Sequence, residues 1–150
     1  MKVFLDTNIF LEYFEQRREY LAVSRILSAI EEGKLTAIVS VGCIYTLTYI
    51  IRMGLKRQNI HRPEQTEKLR DALSTTLSLV RVGDLNKKHI VTGISDVAFD
   101  DVEDSLQYQC ALQNKCEVLV TINLRDYFQA DQSSIEILSP LEFVNKYLSL

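Results

Sequence analysis

The chain has 150 residues, a net charge of −3, 47% hydrophobic side chains, five glycines and two prolines. This length fits one domain with a substantial core, and the scarcity of glycine and proline argues against long disordered linkers. The negative charge excludes a surface that grips nucleic acid by bulk positive charge, although a local basic patch could still bind it. We therefore expect a single domain over residues 1–150.

The cysteines and the apolar segments bear on the cellular compartment. Cys43, Cys110 and Cys116 are odd in number and lack CxxC spacing, so neither a zinc site nor a disulfide framework is indicated. Cys43 and Cys110 fall in apolar helical patterns and are expected in the core. No signal peptide is expected, because the first apolar stretch is short and ends at Asp6. No run approaches the roughly 20 apolar residues of a membrane span, so we expect a cytoplasmic protein.

Short apolar runs alternate with stretches of helical periodicity along the chain. The first half predicts a strand at 3–5, a helix over 23–30 that stops at Gly33, a strand at 36–41, a helix over 44–51 that ends near Gly54, and a basic loop or exposed helix end at 52–62. The second half predicts a long helix with Pro63 in its first turn, strands at 79–82, 118–122 and 135–138, a short helix at 90–94 after Asn86, a helix from Asp100 to about Asn114, and a C-terminal helix that begins at Ser139.

This alternation defines the fold class. Strands that alternate with helices predict an α/β fold, a three-layer α/β/α sandwich around a mostly parallel sheet of about five strands. In such sheets, ligands bind beyond the carboxyl ends of the strands. Functional side chains are therefore expected directly after the strands.

Two aspartates follow predicted strands. Asp6 comes directly after the first strand, and Asp126 comes just after the fourth. Asp6 could equally be the N-cap of the next helix, because Asp, Thr and Asn all favour that position. Taken alone, Asp126 fits better as a solvated loop carboxylate or a partner of Arg125. Both lie at the edge of the sheet where chemistry is expected.

A dense acidic group opens the helix that follows residue 100. Asp100, Asp101, Glu103 and Asp104 exceed what a helix start needs, although acids there interact favourably with the helix dipole. Asp100 and Glu103 fit a variant of the capping box, and Asp101 and Asp104 share one helical face. Crowded carboxylates repel, and a hard divalent cation such as Mg²⁺ relieves that repulsion.

Other catalytic motifs are missing from the sequence. There is no GxSxG, glycine-rich phosphate loop or HExxH, and His61 and His89 fall in polar segments as expected of surface residues. A hydrolase with this sequence would therefore use a metal-activated water rather than a side-chain nucleophile.

The chain resembles the PIN domain family over nearly its whole length, and in particular its VapC-like toxin ribonuclease branch. The first motif is fairly specific at an N-terminus, and the others gain weight from their order and spacing. The motifs lie at 1–8 (MKVFLDTN), 39–40 (VS), 101–107 (DVEDSLQ), 120–128 (VTINLRDYF) and 138–143 (LSPLEF).

The resemblance implies a Mg²⁺- or Mn²⁺-dependent endoribonuclease, often the toxin of a bacterial toxin–antitoxin pair. It also implies an RNA substrate, a cognate antitoxin and a homodimer. By this resemblance, Asp6, Asp104 and Asp126 match the metal ligands and Asp101 is a catalytic neighbour, while Asn8 and Thr121 are polar supports.

The sequence departs from the family pattern at two positions. Thr46 occupies a slot where many members carry Glu, and Asn123 occupies one often filled by Asp. We therefore predict Thr46 and Asn123 as polar supports of a site that has fewer acids than the family pattern. The basic residues Arg52, Lys56, Arg57 and Arg62 are candidates for steering RNA, although a solvated helix end is the commoner reason for such a segment.

Three other readings compete with a ribonuclease. A non-catalytic PIN module that binds RNA or a protein partner is favoured by Thr46 in place of the acid. A haloacid-dehalogenase-like phosphatase also begins with Asp after a strand, but its chemistry needs a second carboxylate where Asn8 stands. A receiver-type phosphoacceptor domain would need paired acids before its phosphoacceptor strand, and the sequence lacks them.

Overall fold

The computed structural model describes residues 1–149. The five strands are β1 (Lys2–Leu5), β2 (Thr36–Ser40), β3 (Arg81–Gly83), β4 (Val118–Val120) and β5 (Glu136–Leu138). The seven α-helices are α1 (Thr7–Phe14), α2 (Tyr20–Glu31), α3 (Val41–Arg57), α4 (Glu64–Leu79), α5 (Lys87–Ser95), α6 (Val102–Gln113) and α7 (Pro140–Phe143). A 3₁₀ turn spans Leu124–Tyr127, and a π-helical turn, Val144–Leu148, follows α7. None of the helices within residues 1–149 is long and apolar enough to cross a membrane.

The sheet is fully parallel, with strand order β3-β2-β1-β4-β5. From the central strand β1, strands β2 and β3 lie toward one edge of the sheet, and β4 and β5 lie toward the other edge. This reversal of direction leaves a crevice between the carboxyl ends of β1 and β4, which is where α/β sheets bind ligands. The predicted α/β fold with a five-stranded sheet is confirmed.

Alternate residues of β1 enter two separate cores, because successive side chains of a strand point to opposite faces. Val3 and Leu5 pack in the core that includes residues of α1, α2, α3 and α7. Phe4 packs in the core on the other face, with Tyr108 and Cys110 of α6. Helices therefore cover both faces of the sheet, which confirms the three-layer arrangement.

Helix α3 is longer than the sequence pattern predicts. The helix was expected to end near Gly54, with the basic segment 52–62 as a loop or an exposed helix end. α3 runs to Arg57, so the segment is an exposed helix end as far as that residue. Lys56 and Arg57 stand in its last turn, where cations interact favourably with the negative end of the helix dipole. Arg52, Lys56 and Arg57 are therefore helical, and only the segment from Gln58 to Pro63 connects α3 to α4.

Two predicted helix starts are wrong. The capping-box variant between Asp100 and Glu103 does not form, because Asp101 is the N-cap of α6 and its carboxylate accepts the backbone N–H of Glu103 at 2.8 Å. Pro63 is the residue before α4 rather than a member of its first turn. By contrast, the capping box of Ser139 and Glu142 at α7 is present as predicted.

All five strands have different ends from those predicted. β1 begins one residue earlier, at Lys2, and β3 spans Arg81–Gly83 rather than 79–82. β2 and β4 stop before Val41 and Thr121, and β5 begins after Ile135. The early stop of β4 matters for the site, because the polar residue beyond it, Thr121, turns inward and bonds to Asp6. Thr121, at the end of β4, is fully buried there.

Candidate active site

Asp6 is a buried carboxylate at the crevice between β1 and β4. Its side chain is only 4% exposed, and its backbone N–H bonds to the carbonyl of Val120 at the end of β4. Asp6 is also the N-cap of α1, so both interpretations of this residue coexist. Five donors converge on its carboxylate: the backbone N–H of Thr7 (2.8 Å), Nε2 of Gln107 (3.1 Å), Oγ1 of Thr121 (2.8 Å), the hydroxyl of Tyr127 (3.2 Å) and Nδ2 of Asn8 (3.4 Å).

Gln107 joins Asp6 to the end of β2. Its Nε2 donates to Asp6, and its Oε1 accepts the hydroxyl of Ser40. Ser40 in turn caps α3 by accepting the backbone N–H of Cys43 at 3.0 Å. The amide of a buried residue on α6 therefore fixes the Asp6 carboxylate relative to the start of α3.

We expect Gln107→Leu to lower the free energy of unfolding by about 2–3 kcal/mol. The substitution leaves the buried carboxylate of Asp6 and the hydroxyl of Ser40 without one hydrogen-bond partner each. For a domain of this size the melting temperature should fall by roughly 4–10 °C in a thermal melt. Gln113→Leu on the same helix is the control. It removes one exposed bond, from Gln113 Oε1 to the backbone N–H of Asn86, and should cost less than about 1 kcal/mol. Equal losses in the two variants would contradict this role.

Asn8 and Thr121 tie the loop after β4 to the start of α1. Oδ1 of Asn8 accepts the backbone N–H of Ile122 at 3.2 Å, and its Nδ2 also lies 3.4 Å from Oγ1 of Thr121. Oγ1 of Thr121 accepts the backbone N–H of Asn123 at 3.0 Å. Both predicted supports thus surround Asp6, whereas Asn123 takes part through its backbone and its side chain is exposed.

Asp104 faces the same crevice from α6. Burial raises the pKa of its carboxyl to about 7, and the negative charges of Asp6, Asp101, Asp126 and Glu103 add to the effect in that order. Its carboxylate accepts no hydrogen bond and forms no salt bridge within residues 1–149, unlike that of Asp6. The fold therefore crowds negative charge around Asp104 without supplying a protein cation to compensate.

The remaining predicted residues stand further out. Asp101 is exposed and caps α6, and Asp126 is exposed in the 3₁₀ turn. Thr46 is half-buried on α3. Within residues 1–149, no three side chains of His, Cys, Asp or Glu are grouped closely enough to hold one metal ion. The predicted triad of Asp6, Asp104 and Asp126 does not assemble as such a group.

The cysteines do not offer a nucleophile. Burial raises the pKa values of the thiols to about 12 for Cys43, about 11 for Cys110 and about 12 for Cys116. Because the thiolate is the reactive form, these three thiols are inert near neutral pH. All three are buried, including the predicted core residues Cys43 and Cys110.

Sequence reasoning missed the roles of Gln107 and Tyr127. Gln107 lies three residues after Asp104 and therefore shares its helical face, which was an available signal. Tyr127 gives no such signal, because its hydroxyl reaches Asp6 only through the packing of the 3₁₀ turn against Phe99 in the core beneath. The pKa of this buried phenol is raised first by burial and then by the charge of Asp6. It therefore remains a hydrogen-bond donor at neutral pH.

A sequence model of the PIN domain matches residues 2–125, which is most of the chain. The chain belongs to the PIN domain family. The match includes Asp6, the cluster at the start of α6 and Thr121.

Known relatives of this PIN domain match it nearly end to end. Ribonuclease VapC1 of Aquifex aeolicus is 27% identical over 154 residues, covering 99% of this chain and 97% of the relative. Two solved structures share the fold, each with a TM-score of 0.64. They are VapBC2 from Rickettsia felis bound to a DNA fragment from their promoter (17% identity, 93% of this chain and 98% of the other) and VapBC-1 from nontypeable Haemophilus influenzae (16% identity, 94% and 99%).

The crevice of this PIN domain fits a divalent cation held by few protein ligands. The available donors are oxygens, which Mg²⁺ prefers, and Mg²⁺ commonly uses one or two carboxylates and keeps several waters. Asp6 and Asp104 supply two carboxylates, and the pKa of Asp104 is raised first by burial and then by the negative charge of its neighbours, which a cation would offset. The small number of acids therefore suits a hydrated ion rather than a closed protein cage.

The predicted RNA-steering residues divide into two groups in this PIN domain. Arg52, Lys56 and Arg62 line one open hollow, together with Met53, His61 and Gln65. Arg57 does not line it and stands exposed at the end of α3. His61 is exposed as predicted, whereas His89 is half-buried with its Nδ1 2.8 Å from Oε1 of Gln109.

Proposed function

We propose that this PIN domain is a Mg²⁺- or Mn²⁺-dependent endoribonuclease that hydrolyses RNA phosphodiesters. The observation that carries the proposal is the pairing of two unlike carboxylates at the crevice. Asp6 is oriented by protein donors, whereas Asp104 faces it with a raised pKa and no protein partner within residues 1–149. The relationship to Ribonuclease VapC1 of Aquifex aeolicus supports the same class of chemistry.

In this proposal Asp6 and Asp104 hold the metal, with Asp126 and Asp101 as outer acids toward the substrate. The ion would lower the pKa of a water and neutralise charge on the scissile phosphate. Gln107, Thr121 and Tyr127 keep the Asp6 carboxylate in a single orientation, which a site of this kind requires. The exposed acids at the rim leave the crevice open to a long substrate.

The direct test incubates the purified full chain with unstructured RNA and Mg²⁺ or Mn²⁺. Internal cleavage that EDTA stops and added Mn²⁺ restores is the expected result. A chain that remains folded by circular dichroism but cuts no RNA of several sequences would overturn the proposal.

The second candidate is a catalytically weakened PIN module that binds RNA or a protein. The observation in its favour is that no three acids are grouped for one ion within residues 1–149, with Thr46 in place of an expected carboxylate. This candidate predicts RNA binding in the assay above without cleavage at any metal concentration.

We also propose a protein partner of the antitoxin class and a homodimer. The two solved neighbours are VapBC proteins by their descriptions. This chain has two open hollows that Phe14 lines, a mostly apolar one of about 230 Å³ and one of about 310 Å³ with a mixed polar and apolar lining. A short gene beside this one, whose product copurifies with the chain, is the expected finding. Light scattering of the purified chain tests the dimer.

A further inference from the structure

Helix α3 carries a stripe of one aliphatic, two aromatic and two cationic side chains on one face; Arg52 is half-buried and the other four are exposed. At 100° per residue, its five members fall within an arc of about 80°. The two aromatic members are well exposed, Tyr45 at 76% and Tyr49 at 56%. In chain order the stripe, which we call the α3 track, consists of Val41, Tyr45, Tyr49, Arg52 and Lys56.

One end of the α3 track lies at the candidate active site. Ser40, the N-cap of α3, is joined through Gln107 to Asp6. Helical side chains tilt toward the N-terminus of their helix, so Tyr45 leans toward the crevice. At 1.5 Å per residue, Lys56 lies about 24 Å along the axis from Ser40.

The other end of the α3 track opens into the basic hollow. Its volume is about 610 Å³, and Arg52, Lys56, His61 and Arg62 contribute its polar lining together with Gln65. Gln65 is buried and braces the loop beside it by donating to the carbonyl of Ile60 at 3.0 Å. Within residues 1–149, none of these cations lies in a salt bridge; nearby Glu64 pairs instead with Lys68 at 3.9 Å.

We propose that the α3 track binds single-stranded RNA between the basic hollow and the crevice. Tyr45 and Tyr49 stack on unpaired bases, and the hollow holds backbone phosphate. This inference rests on the proposed ribonuclease function and adds the surface along which the RNA strand reaches the crevice. A stacked strand advances about 3.4 Å per nucleotide, so 24 Å accommodates about seven nucleotides.

The chemistry of the α3 track favours RNA over a second copy of this chain. Stacking on tyrosine tolerates every base, and unpaired cations beside aromatic rings are the usual features of single-strand binding. In a symmetric dimer, a patch contacts the same patch of the partner. Such a contact here would bury Arg52 and Lys56, and neither has a salt-bridge partner within residues 1–149 to offset the loss of its hydration.

The test measures the Kd of a fluorescent unpaired 10-nucleotide RNA by anisotropy, in an Asp104→Asn background that prevents cleavage. Tyr45→Ala with Tyr49→Ala should raise Kd at least about tenfold, because it removes two stacking rings. Tyr45→Phe with Tyr49→Phe, which keeps both rings, should leave Kd within about twofold.

The cations are tested by the dependence of Kd on salt. Arg52→Gln with Lys56→Gln should lower the slope of log Kd against log salt concentration by about 1.4, since each phosphate contact on a single strand contributes about 0.7. Lys87→Gln with Lys88→Gln removes the same charge from the exposed start of α5 and should leave the slope unchanged.

The outcomes separate this inference from the proposed function. If the wild-type chain cleaves RNA but the α3 variants bind like their controls, the α3 track is not the RNA site and only this inference fails. If the tyrosine variant changes the oligomeric state in light scattering and not the Kd, the stripe is a contact between copies, and the inference is again overturned. If the wild-type chain neither binds nor cleaves RNA, both fail.

Discussion

Asp104→Asn should lower metal-dependent RNA cleavage at least about 100-fold while raising the melting temperature at pH 8. The loss of activity is expected because even outer partners of a metal site commonly cost 10–100-fold, and Asp104 is proposed as a direct ligand. The gain in stability is expected because the charged carboxylate is half-buried with no hydrogen-bond donor within residues 1–149, and because four neighbouring acids repel it. The amide removes that charge at nearly constant size.

The stability gain should depend on pH in a defined direction. The pKa of Asp104 is about 7 in the folded protein, above its ordinary value near 3.9, so the folded state holds the proton more tightly than the unfolded state. Stability conferred by this proton is complete below about pH 4 and is lost as the pH rises to 7. Asp104→Asn should therefore match the wild type near pH 4 and exceed it at pH 8.

The size of the effect follows from the shift after a discount for solvent screening at a half-buried site. We expect about 1–2 kcal/mol, or roughly 3–6 °C, in thermal melts recorded without metal. Asp71→Asn is the control, because Asp71 is exposed on α4 and contributes nothing to the raised pKa of Asp104. A melting temperature for Asp104→Asn that falls at pH 8 would contradict the repulsion described for this residue.

Asp6→Asn should also abolish cleavage, but with the opposite effect on stability. Each oxygen of Asp6 accepts at least two donors, so the NH₂ group of asparagine would face donors in either orientation. The hydroxyls of Thr121 and Tyr127 can turn to accept instead, which limits the cost. We expect a loss of about 2–4 kcal/mol from weakened bonds to a charged acceptor.

This prediction is checked by denaturant unfolding together with the RNA cleavage assay. The free energy of unfolding should fall for Asp6→Asn and stay near the wild-type value for the exposed control Asp71→Asn. Loss of cleavage with unchanged stability would mean that the five donors contribute little to the fold. Retained metal-dependent cleavage would remove Asp6 from the site.

Asp6→Asn is expected to lower stability and Asp104→Asn to raise it. These opposite effects distinguish two roles that the sequence did not distinguish. Parallel strands and their carboxyl ends were enough to place Asp6, Asn8 and Thr121 at one edge of the sheet, and the structure brings these side chains into contact. Which acid accepts hydrogen bonds and which has no partner within residues 1–149 depends on side-chain geometry that periodicity does not encode.

The acids of α6 show why periodicity could not assign these roles. Spacing puts Asp101 and Asp104 on one helical face, so the sequence could not assign them different roles. The helix starts after Asp101, and that single boundary makes Asp101 a cap and turns Asp104 toward Asp6. Helix boundaries are set by capping competition among neighbouring polar residues, and Asp100, Asp101 and Glu103 all compete here.

The end of α3 illustrates a second limit. Its polar surface left both a loop and an exposed helix end open after Gly54, because exposed helical turns and loops have similar composition. The packing of α3 against α4 continues the helix to Arg57, and this continuation aligns Tyr45 and Tyr49 with Arg52 and Lys56. The α3 track is therefore a property of the folded helix that the sequence pattern alone did not indicate.

Calorimetric titration of Mn²⁺ into the metal-free chain at pH 8 tests the central claim most directly. We predict saturable binding to the wild type and to Asp71→Asn, with an affinity at least about 100-fold lower for Asp104→Asn. Undiminished binding to a folded Asp104→Asn protein would contradict the claim that this carboxylate is kept for a divalent cation.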